Sequence, residues 1–427
     1  MKRLMFVLGG LLLLAACGPV AAPIGTGGQL VKAQAPRHEA EDLSGEQVKE
    51  LVQGNSTFAL DFYQIMTRAS GNNLIYSPYS ISLAFSMVYA GARGETQAQM
   101  QEAFNYLLQD IQHMAFNALD QHLSDLGKGV LSNQDGREPF QLNITNAVWG
   151  QEGSSFKETY LNTLAQNYGA GLRLTNFTKN PEASRSLINQ PVAEQTRKRI
   201  ENFLPQDFID SSTRLVLTNA IYFRAAWQFQ FDPSATEDGT FTLLDESNVT
   251  IPLMHLQTAR VPYTQGDGYQ AALLPYAGGV VDMLVVLPEV GRFESIEQRL
   301  SSDFLEGLQD QVTLHDVTLS MPKFDFESEI DLSKRLKEMG MTEAFGPQAD
   351  FSGMVDGGGL FISAALHKAT IALDEKGTEA AAATAVAMAE SAMEQAEMTI
   401  DRPFILAIIE RDTGSILFLG RVMNPAE

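Results

Sequence analysis

The sequence predicts one α+β domain with large β-sheets, preceded by an export leader. Helical patterns dominate the first part of the globular region and strand patterns its later part, which favours α+β over regular βαβ alternation. The chain has 427 residues, of which 44% are hydrophobic, so it can bury a substantial core. We find no internal repeat of the kind that marks solenoids or propellers.

The N-terminus has the features of a lipoprotein signal peptide. A short positive segment precedes an apolar run that is too short to span a membrane, and residues 14–17 read Leu-Ala-Ala-Cys, which is similar to the lipobox of bacterial lipoproteins. Cys17 is the only cysteine, so it cannot form an internal disulfide. We expect residues 1–16 to be removed and Cys17 to carry lipid; an ordinary cleaved signal is the alternative.

The same interpretation divides the chain and places it outside the cytoplasm. Residues 17–45, rich in Pro, Gly, Ala and Gln, are predicted to be a flexible tether, and residues 46–427 the folded domain. Lipoprotein modification supplies the two or more chains that stable anchoring needs. We therefore expect an exported cell-envelope lipoprotein, periplasmic or at the cell surface.

The predicted elements follow in order along the domain. Apolar residues at helical spacing predict a first helix over residues 46–69, and Ser77 with Pro78 predicts the cap and first turn of a second helix that runs to residue 90. Further helices are predicted near residue 95 and at 157–168 and 183–203. Strands are predicted at 140–149 and 213–223, in several runs between 239 and 288 including 280–287, and at 312–321, 369–373, 404–410 and 416–419.

Composition and missing motifs exclude several classes of function. A net charge of −22 argues against nucleic acid or an anionic lipid surface as partner. The chain has no G-x-S-x-G, Walker, H-E-x-x-H or C-x-x-C motif, and its six histidines show no metal-ligand spacing. We therefore expect no enzyme activity, no cofactor and no metal site.

Residues 377–389 fit neither a core helix nor an ordinary loop. Alanine favours a helix, but the segment lacks the large apolar side chains with which a helix docks on a core. If the segment also enters the middle of a sheet, alternate side chains from Thr378 to Thr384 would point into a crowded interior where only small residues fit. Gly377 would supply the backbone freedom for that entry. A surface helix or linker is the alternative.

Several segments, in order, resemble the serpin family. The stretch 374–383 (DEKGTEAAAA) resembles the hinge of inhibitory serpins, and 73–81 (NLIYSPYSI) resembles the family's N-F-S-P-x-S-I segment. Residues 217–227 resemble the strand that ends in a buried tryptophan. The segments 321–324, 366–369, 403–404 and 418–425 also match in order. The resemblance covers residues 53 to 425, nearly the whole predicted domain.

The resemblance implies a serpin fold with three β-sheets, eight or nine helices and an exposed reactive-centre loop. It also implies inhibition of serine proteases by a suicide-substrate mechanism. The protease cleaves the loop and forms an acyl-enzyme, and the loop then inserts into the central sheet before deacylation. Cysteine proteases are a further possible target class, and a non-inhibitory serpin-like binding or carrier protein is the alternative.

The resemblance assigns roles to individual residues. The polar cluster under the sheet that governs its opening, the shutter, comprises Ser77, Ser80, Asn219 and His367, whose groups can exchange hydrogen bonds. Trp227 matches the breach, where the loop first enters, with a plain core aromatic as the alternative. The hinge comprises Glu375, Gly377, Thr378, Glu379, Ala380, Ala381, Ala382 and Ala383.

The chain departs from the family's common pattern in two places. Residues 188–192 read INQPV where a tryptophan commonly follows I-N-x, so we expect altered packing of the covering helix. The loop is about one residue longer than in common relatives: counting forward from the hinge puts the scissile residue at Ser391, and counting back from the last strands favours Ala392. Met388 and Met393 are alternatives. None of these residues is Arg or Lys, so we expect the target to be an elastase-, subtilisin- or chymotrypsin-like protease. We also expect the protein to be a monomer.

Overall fold

The computed structural model describes residues 28–39, 45–129, 141–378 and 394–427. In these ranges the chain forms nine α-helices and sixteen β-strands. The helices are α1 (Gly45–Ala69), α2 (Pro78–Tyr89), α3 (Gly94–Phe104), α4 (Gln109–Gly129), α5 (Glu158–Tyr168), α6 (Pro181–Gln195), α7 (Phe293–Glu297), α8 (Ser302–Gln311) and α9 (Leu332–Glu338). The strands are β1 (Gln29–Val31), β2 (Leu74–Tyr76), β3 (Gln141–Gln151), β4 (Leu172–Thr175), β5 (Leu215–Ala226), β6 (Glu237–Thr242), β7 (Asn248–Gly266), β8 (Tyr269–Pro275), β9 (Val281–Pro288), β10 (Thr313–Pro322), β11 (Phe324–Asp331), β12 (Ile362–Asp374), β13 (Gly377–Thr378), β14 (Gln395–Thr399), β15 (Phe404–Glu410) and β16 (Ile416–Val422).

A seven-stranded sheet contains Gly377 and Thr378, which the resemblance assigned to the hinge, and Asn219 and His367, which it assigned to the shutter. Its strand order is β1-β4-β3-β5-β13-β12-β11. The long strands β5 and β12 pair directly and in parallel over most of their length, with His367 opposite Asn219. The two-residue strand β13 lies between them at one end, so β5 and β12 are joined along one part and separated along the other.

The remaining strands form a nine-stranded sheet with the order β14-β10-β7-β8-β9-β15-β16-β2, and β6 pairs with β7 at its side. The 19-residue strand β7 joins two parts of this sheet. It pairs with β10 and β6 in one part and, near its end, with β8 in the other. The described residues therefore form two hydrogen-bonded sheets, where the resemblance implied three, because β7 runs on from one part into the other.

Helix α2 occupies the space between the two sheets. Every one of its residues is buried, and it packs against β3, β5 and β16. Ser77 caps the helix by accepting a hydrogen bond from the Ser80 backbone N–H, and Pro78 fills the first position, where no N–H is needed. The second predicted helix and its start are thus confirmed.

Helix α6 covers the other face of the seven-stranded sheet. Ile188 and Val192 pack there with Trp149 and Val216 in a second, smaller core cluster. The predicted helix over 183–203 is too long: α6 ends at Gln195, and the chain turns through Arg197 and Lys198 with positive φ. Pro191 stands where the family commonly has a tryptophan and is buried within α6. The side chain of Asn189, two residues earlier, donates to and accepts from the Leu204 backbone, at 3.1 and 2.8 Å.

Residues 28–39 lie against the domain, although the sequence analysis assigned them to a flexible tether. Strand β1 pairs antiparallel with β4 at the edge of the sheet. Arg37 donates to Asn117 and Asp120 of α4, both at 2.7 Å. An exposed sheet edge offers unpaired backbone groups, which explains why a short segment of this otherwise polar stretch can be recruited as a strand. Among the helices described, none is long and apolar enough to cross a membrane.

Candidate functional site

The first described hinge residues to enter the seven-stranded sheet are Gly377 and Thr378 of β13. They lie between β5 and β12, and we call this pair the wedge. Thr378 pairs with Leu373 of β12 on one side and with Ala225 of β5 on the other. Gly377 likewise pairs with Asp374 and Ala226. The chain therefore enters the sheet antiparallel to both neighbours at the point where β5 and β12 part.

Gly377 fits this entry point because it has no side chain. Its φ is +150°, and a Cβ atom would lie 2.1 Å from the Ala225 carbonyl oxygen and 2.7 Å from the Ala226 Cα. The carboxylate of Asp374 accepts hydrogen bonds from the backbone N–H groups of Lys376 and Gly377, at 2.8 and 3.2 Å. The turn that reverses the chain is thus fixed by one side chain and one glycine.

Trp227, which directly follows β5, holds the same turn through two hydrogen bonds. Its backbone N–H donates to the Lys376 carbonyl at 2.8 Å, and its indole Nε1 donates to the Asp374 carbonyl at 3.1 Å. The indole stacks on the Tyr276 ring with centroids 4.5 Å apart. Trp227 therefore contacts the place where the chain enters the sheet, and both its polar groups bond to the turn.

Thr378 points into the interior. It is buried, and its hydroxyl lies 2.8 Å from the Tyr276 hydroxyl. Burial raises the pKa of Tyr276 well above its usual range, so this hydroxyl stays protonated and can exchange a hydrogen bond with Thr378. Sequence reasoning missed Tyr276, because nothing along the chain links it to residues 102 positions away.

Glu375 is held at the top of the wedge by three groups. Lys323 donates to one carboxylate oxygen at 3.0 Å, and Thr236 donates to the other at 2.9 Å. Burial alone would raise the pKa of Glu375, but hydrogen bonds from its own backbone, Lys323 and Thr236 outweigh it and leave the pKa below its usual range. The carboxylate is therefore charged, and it links the turn to Thr236, just before β6, and to Lys323, between β10 and β11.

The four residues assigned to the shutter meet beneath the joined part of β5 and β12. All four are fully buried. Asn219 Nδ2 donates to the Ser80 carbonyl and hydroxyl, at 2.6 and 2.7 Å, while its Oδ1 accepts from His367 Nδ1. The Ser77 backbone N–H donates to His367 Nε2 at 3.2 Å. These bonds link α2 to both strands.

The imidazole of His367 is neutral in this network. Burial lowers its pKa to about 3. Because Nε2 accepts from the Ser77 N–H, the proton lies on Nδ1 and is donated to Asn219. We call the direct parallel pairing of β5 and β12 the seam. The hydrogen bond from His367 to Asn219 joins side chains of these two strands across the seam.

Asn146 of β3 is a fifth member that sequence reasoning missed. It lies directly opposite Asn219 in the register, and its Oδ1 accepts from the Ser80 hydroxyl at 3.3 Å. An asparagine within a predicted strand was the available signal. The role of this cluster in opening the sheet stays a prediction; its geometry makes such a role chemically reasonable, since every member can exchange partners.

Several assigned residues lie outside the described part of the chain. They are Cys17, the hinge residues Glu379, Ala380, Ala381, Ala382 and Ala383, and the candidate scissile residues Met388, Ser391, Ala392 and Met393. Of the assigned hinge, the structure describes Glu375, Gly377 and Thr378.

Comparison with known proteins agrees with this architecture. The sequence profile described as "Serpin (serine protease inhibitor)" matches residues 53–425. A serpin-like protein of Thermococcus kodakarensis is 37% identical over 92% of this chain and 90% of its own length. The leukocyte elastase inhibitor of Sus scrofa is 34% identical over 88% of this chain and its whole length. A structure of thyroxine-binding globulin with thyroxine aligns with a TM-score of 0.74 at 31% identity, covering 88% of this chain and 99% of the other.

Proposed function

The chain belongs to the serpin family and has its fold, and we propose that it inhibits serine proteases as a suicide substrate. In this proposal the protease cleaves the segment between β13 and β14 and becomes an acyl-enzyme. The released segment then enters the seven-stranded sheet as a new strand and draws the protease with it. The observation that carries the proposal is the wedge, because Thr378 pairs with β5 and β12 at once.

Insertion of the cleaved segment would replace one parallel strand pairing by two antiparallel ones. At present β5 and β12 pair in parallel. A strand that continued from β13 would pair antiparallel with both, and antiparallel ladders are slightly more stable per residue. Each added main-chain hydrogen bond contributes about 0.5–1.5 kcal/mol net. The uncleaved protein would therefore be kinetically trapped above a more stable, inserted state.

The register of β13 defines where each inserted residue would lie. If the inserted strand kept this register along both neighbours, Thr384 would lie opposite Asn219 of β5 and also opposite His367 of β12. The inserting strand would thus pass between the two side chains whose hydrogen bond closes the seam. Because Thr378 points inward, Thr384 would also point inward, and its hydroxyl could bond to the groups that it separates.

A panel of proteases tests the proposal. The soluble domain would be incubated with elastase, subtilisin, chymotrypsin, trypsin and papain, followed by denaturing gels and mass measurement of the released C-terminal peptide. We expect an SDS-stable complex with one of the first three enzymes and a peptide that begins after Ser391 or Ala392. Cleavage by these enzymes without any complex would contradict the inhibitory mechanism.

Thr378→Arg should convert the inhibitor into a substrate. The position is buried between Tyr276 and the two flanking strands, and a charged, long side chain there would block insertion. We expect at least a tenfold rise in the number of inhibitor molecules consumed per protease inhibited. Thr378→Ser, which keeps the hydroxyl, is the matched control. Equal complex formation by Thr378→Arg and wild type would exclude this account of the hinge.

We also propose that the chain is exported and anchored by lipid at Cys17. The support is the leader and its Leu-Ala-Ala-Cys ending, together with the absence of any other cysteine. Labelled palmitate fed to expressing cells should enter the wild-type chain and fractionate with membranes. The Cys17→Ser variant should take up no label; label in that variant would contradict the anchor.

A carrier function is the second candidate. A pocket of about 420 Å³ lies between α1, α8 and the turn after β15, lined in part by Val52, Leu305 and Thr413. Small-molecule sites are commonly of this size, and thyroxine-binding globulin, by its name, binds a small molecule. Cleavage without a protease complex, together with saturable binding of an apolar fluorescent probe that Leu305→Trp abolishes, would favour this function over inhibition.

A further inference from the structure

Three potential metal ligands from two distant parts of the sequence meet where α4 faces the turn between β15 and β16. They are His122 on α4, Glu410 at the end of β15 and Asp412 in the turn. One ligand atom from each lies within 4.8 Å of those from the other two. None of them belongs to the hinge, the breach or the shutter.

Glu410 is oriented before any ligand arrives. Its side chain is fully buried, and Oε1 accepts a hydrogen bond from the Asp412 backbone N–H at 2.8 Å. Oε2 accepts from the backbone N–H and the hydroxyl of Thr413, at 2.9 and 2.5 Å. A carboxylate has about four positions for accepting bonds, so Oε1 keeps one for a further partner on the side of His122.

His122 presents a nitrogen without a hydrogen bond at that position. Its Nε2 atom is buried and has no hydrogen-bond partner, and it lies 3.6 Å from Glu410 Oε1. This distance is too long for a hydrogen bond. It is close to the separation of about 3.4 Å between two ligands of a tetrahedral zinc ion with bonds of about 2.1 Å. The spacing therefore suits an ion between the two atoms better than direct contact.

We propose that His122, Glu410 and Asp412 bind a zinc ion. One imidazole nitrogen and two carboxylate oxygens form a donor set that zinc accepts, and three protein ligands leave one position for water. Asp412 is exposed and lies in a turn, so its side chain can move the remaining distance. The ion joins α4 to the β15–β16 turn. Histidine spacing could not reveal this site, because two of its three ligands are carboxylates from the far end of the chain.

Calorimetric titration of the untagged chain with zinc chloride tests the site. We expect one ion bound per chain and a rise in melting temperature with zinc concentration, because the ion binds the folded state. His122→Gln and Asp412→Asn should each lower the affinity by about 100-fold or more, since even outer-shell changes cost 10–100-fold. Both positions are partly or fully exposed, and circular dichroism would check that the variants fold.

His255 provides a matched control. Its Nε2 is also buried without a hydrogen-bond partner and lies 3.6 Å from Glu237, yet it belongs to no three-ligand group among the described residues. His255→Gln should bind zinc with the affinity of wild type. The proposal is overturned if wild type shows no saturable binding, if His122→Gln binds as tightly as wild type, or if His255→Gln abolishes binding.

Discussion

The neutral histidine in the shutter makes the folded protein sensitive to acid. Burial lowers the pKa of His367 to about 3 from its ordinary value of 6.5. Burial, with Arg93 nearby, lowers the pKa of His113 to about 4. Between these values and pH 6.5 the unfolded chain binds protons that the folded chain does not, so the folded state becomes less stable relative to the unfolded state as the pH falls.

We therefore predict that the free energy of unfolding falls by up to about 1.4 kcal/mol per pH unit for each histidine, starting below pH 6.5. His367→Gln should make the dependence on pH less steep between about pH 3 and 6.5, and His113→Gln should do so between about pH 4 and 6.5. Urea unfolding across the pH range measures it. His38, which is exposed, is the control position; an unchanged slope in His367→Gln would exclude a buried neutral imidazole.

Asn219 connects the largest number of partners in the shutter. Replacing it by Leu leaves the His367 Nδ1 proton without an acceptor and removes one donor from the Ser80 carbonyl and hydroxyl, which keep their hydrogen bonds to Asn146. We expect the free energy of unfolding to fall by about 2–3 kcal/mol, because each orphaned buried polar group costs about 1–3 kcal/mol. Urea unfolding measures the change. The exposed Asn248→Leu should alter stability by less than about 0.5 kcal/mol; equal effects would contradict the network.

Sequence reasoning found the shutter residues but not all of their partners. Ser77, Ser80, Asn219 and His367 were identified through resemblance, and they do meet in the structure. Asn146 and Tyr276 were missed, because only strand register places Asn146 opposite Asn219 and Tyr276 beneath the hinge. Register depends on how strands pair, which no local pattern in one sequence determines.

At the scale of elements, we predict that residues 28–39 stabilise the folded domain. Arg37 bonds Asn117 and Asp120 of α4, and these side chains are only partly exposed. Arg37→Ala should lower the free energy of unfolding by about 1 kcal/mol and the melting temperature by about 2–4 °C. Differential scanning calorimetry measures it. Lys32→Ala, which loses one exposed bond to the Gly169 carbonyl, should have a smaller effect.

The element boundaries that the sequence predicted well carry strong local signals. The start of α2 follows from a capping serine and a proline, and β15 spans the predicted residues. The end of α6 was misplaced, since apolar residues such as Ile200 and Phe203 continue the helical spacing after the helix has ended. Strand β1 could not be predicted, because three polar-flanked residues become a strand only where a sheet edge receives them.

For the whole molecule, kinetic trapping predicts that cleavage stabilises it. The uncleaved chain keeps β5 and β12 in parallel contact, and the cleaved chain would replace that contact by two antiparallel ladders. We expect the melting temperature to rise by more than about 20 °C after cleavage in the loop, measured by circular dichroism. Thr378→Arg, cleaved in the same way, should show no such rise. An equal rise in both would mean that insertion is not its cause.

If the seam between β5 and β12 opens as proposed, it would accept a new strand through backbone hydrogen bonds, which do not identify the chain that supplies the strand. The loop of the same molecule has the advantage only of tethering, which gives it an effective concentration in the millimolar range for a short linker. A loop from a second molecule carries the same sequence and can pair in the same register. If insertion proceeds as proposed, neighbouring molecules at high concentration would therefore compete for each other's seams, and linear association would result.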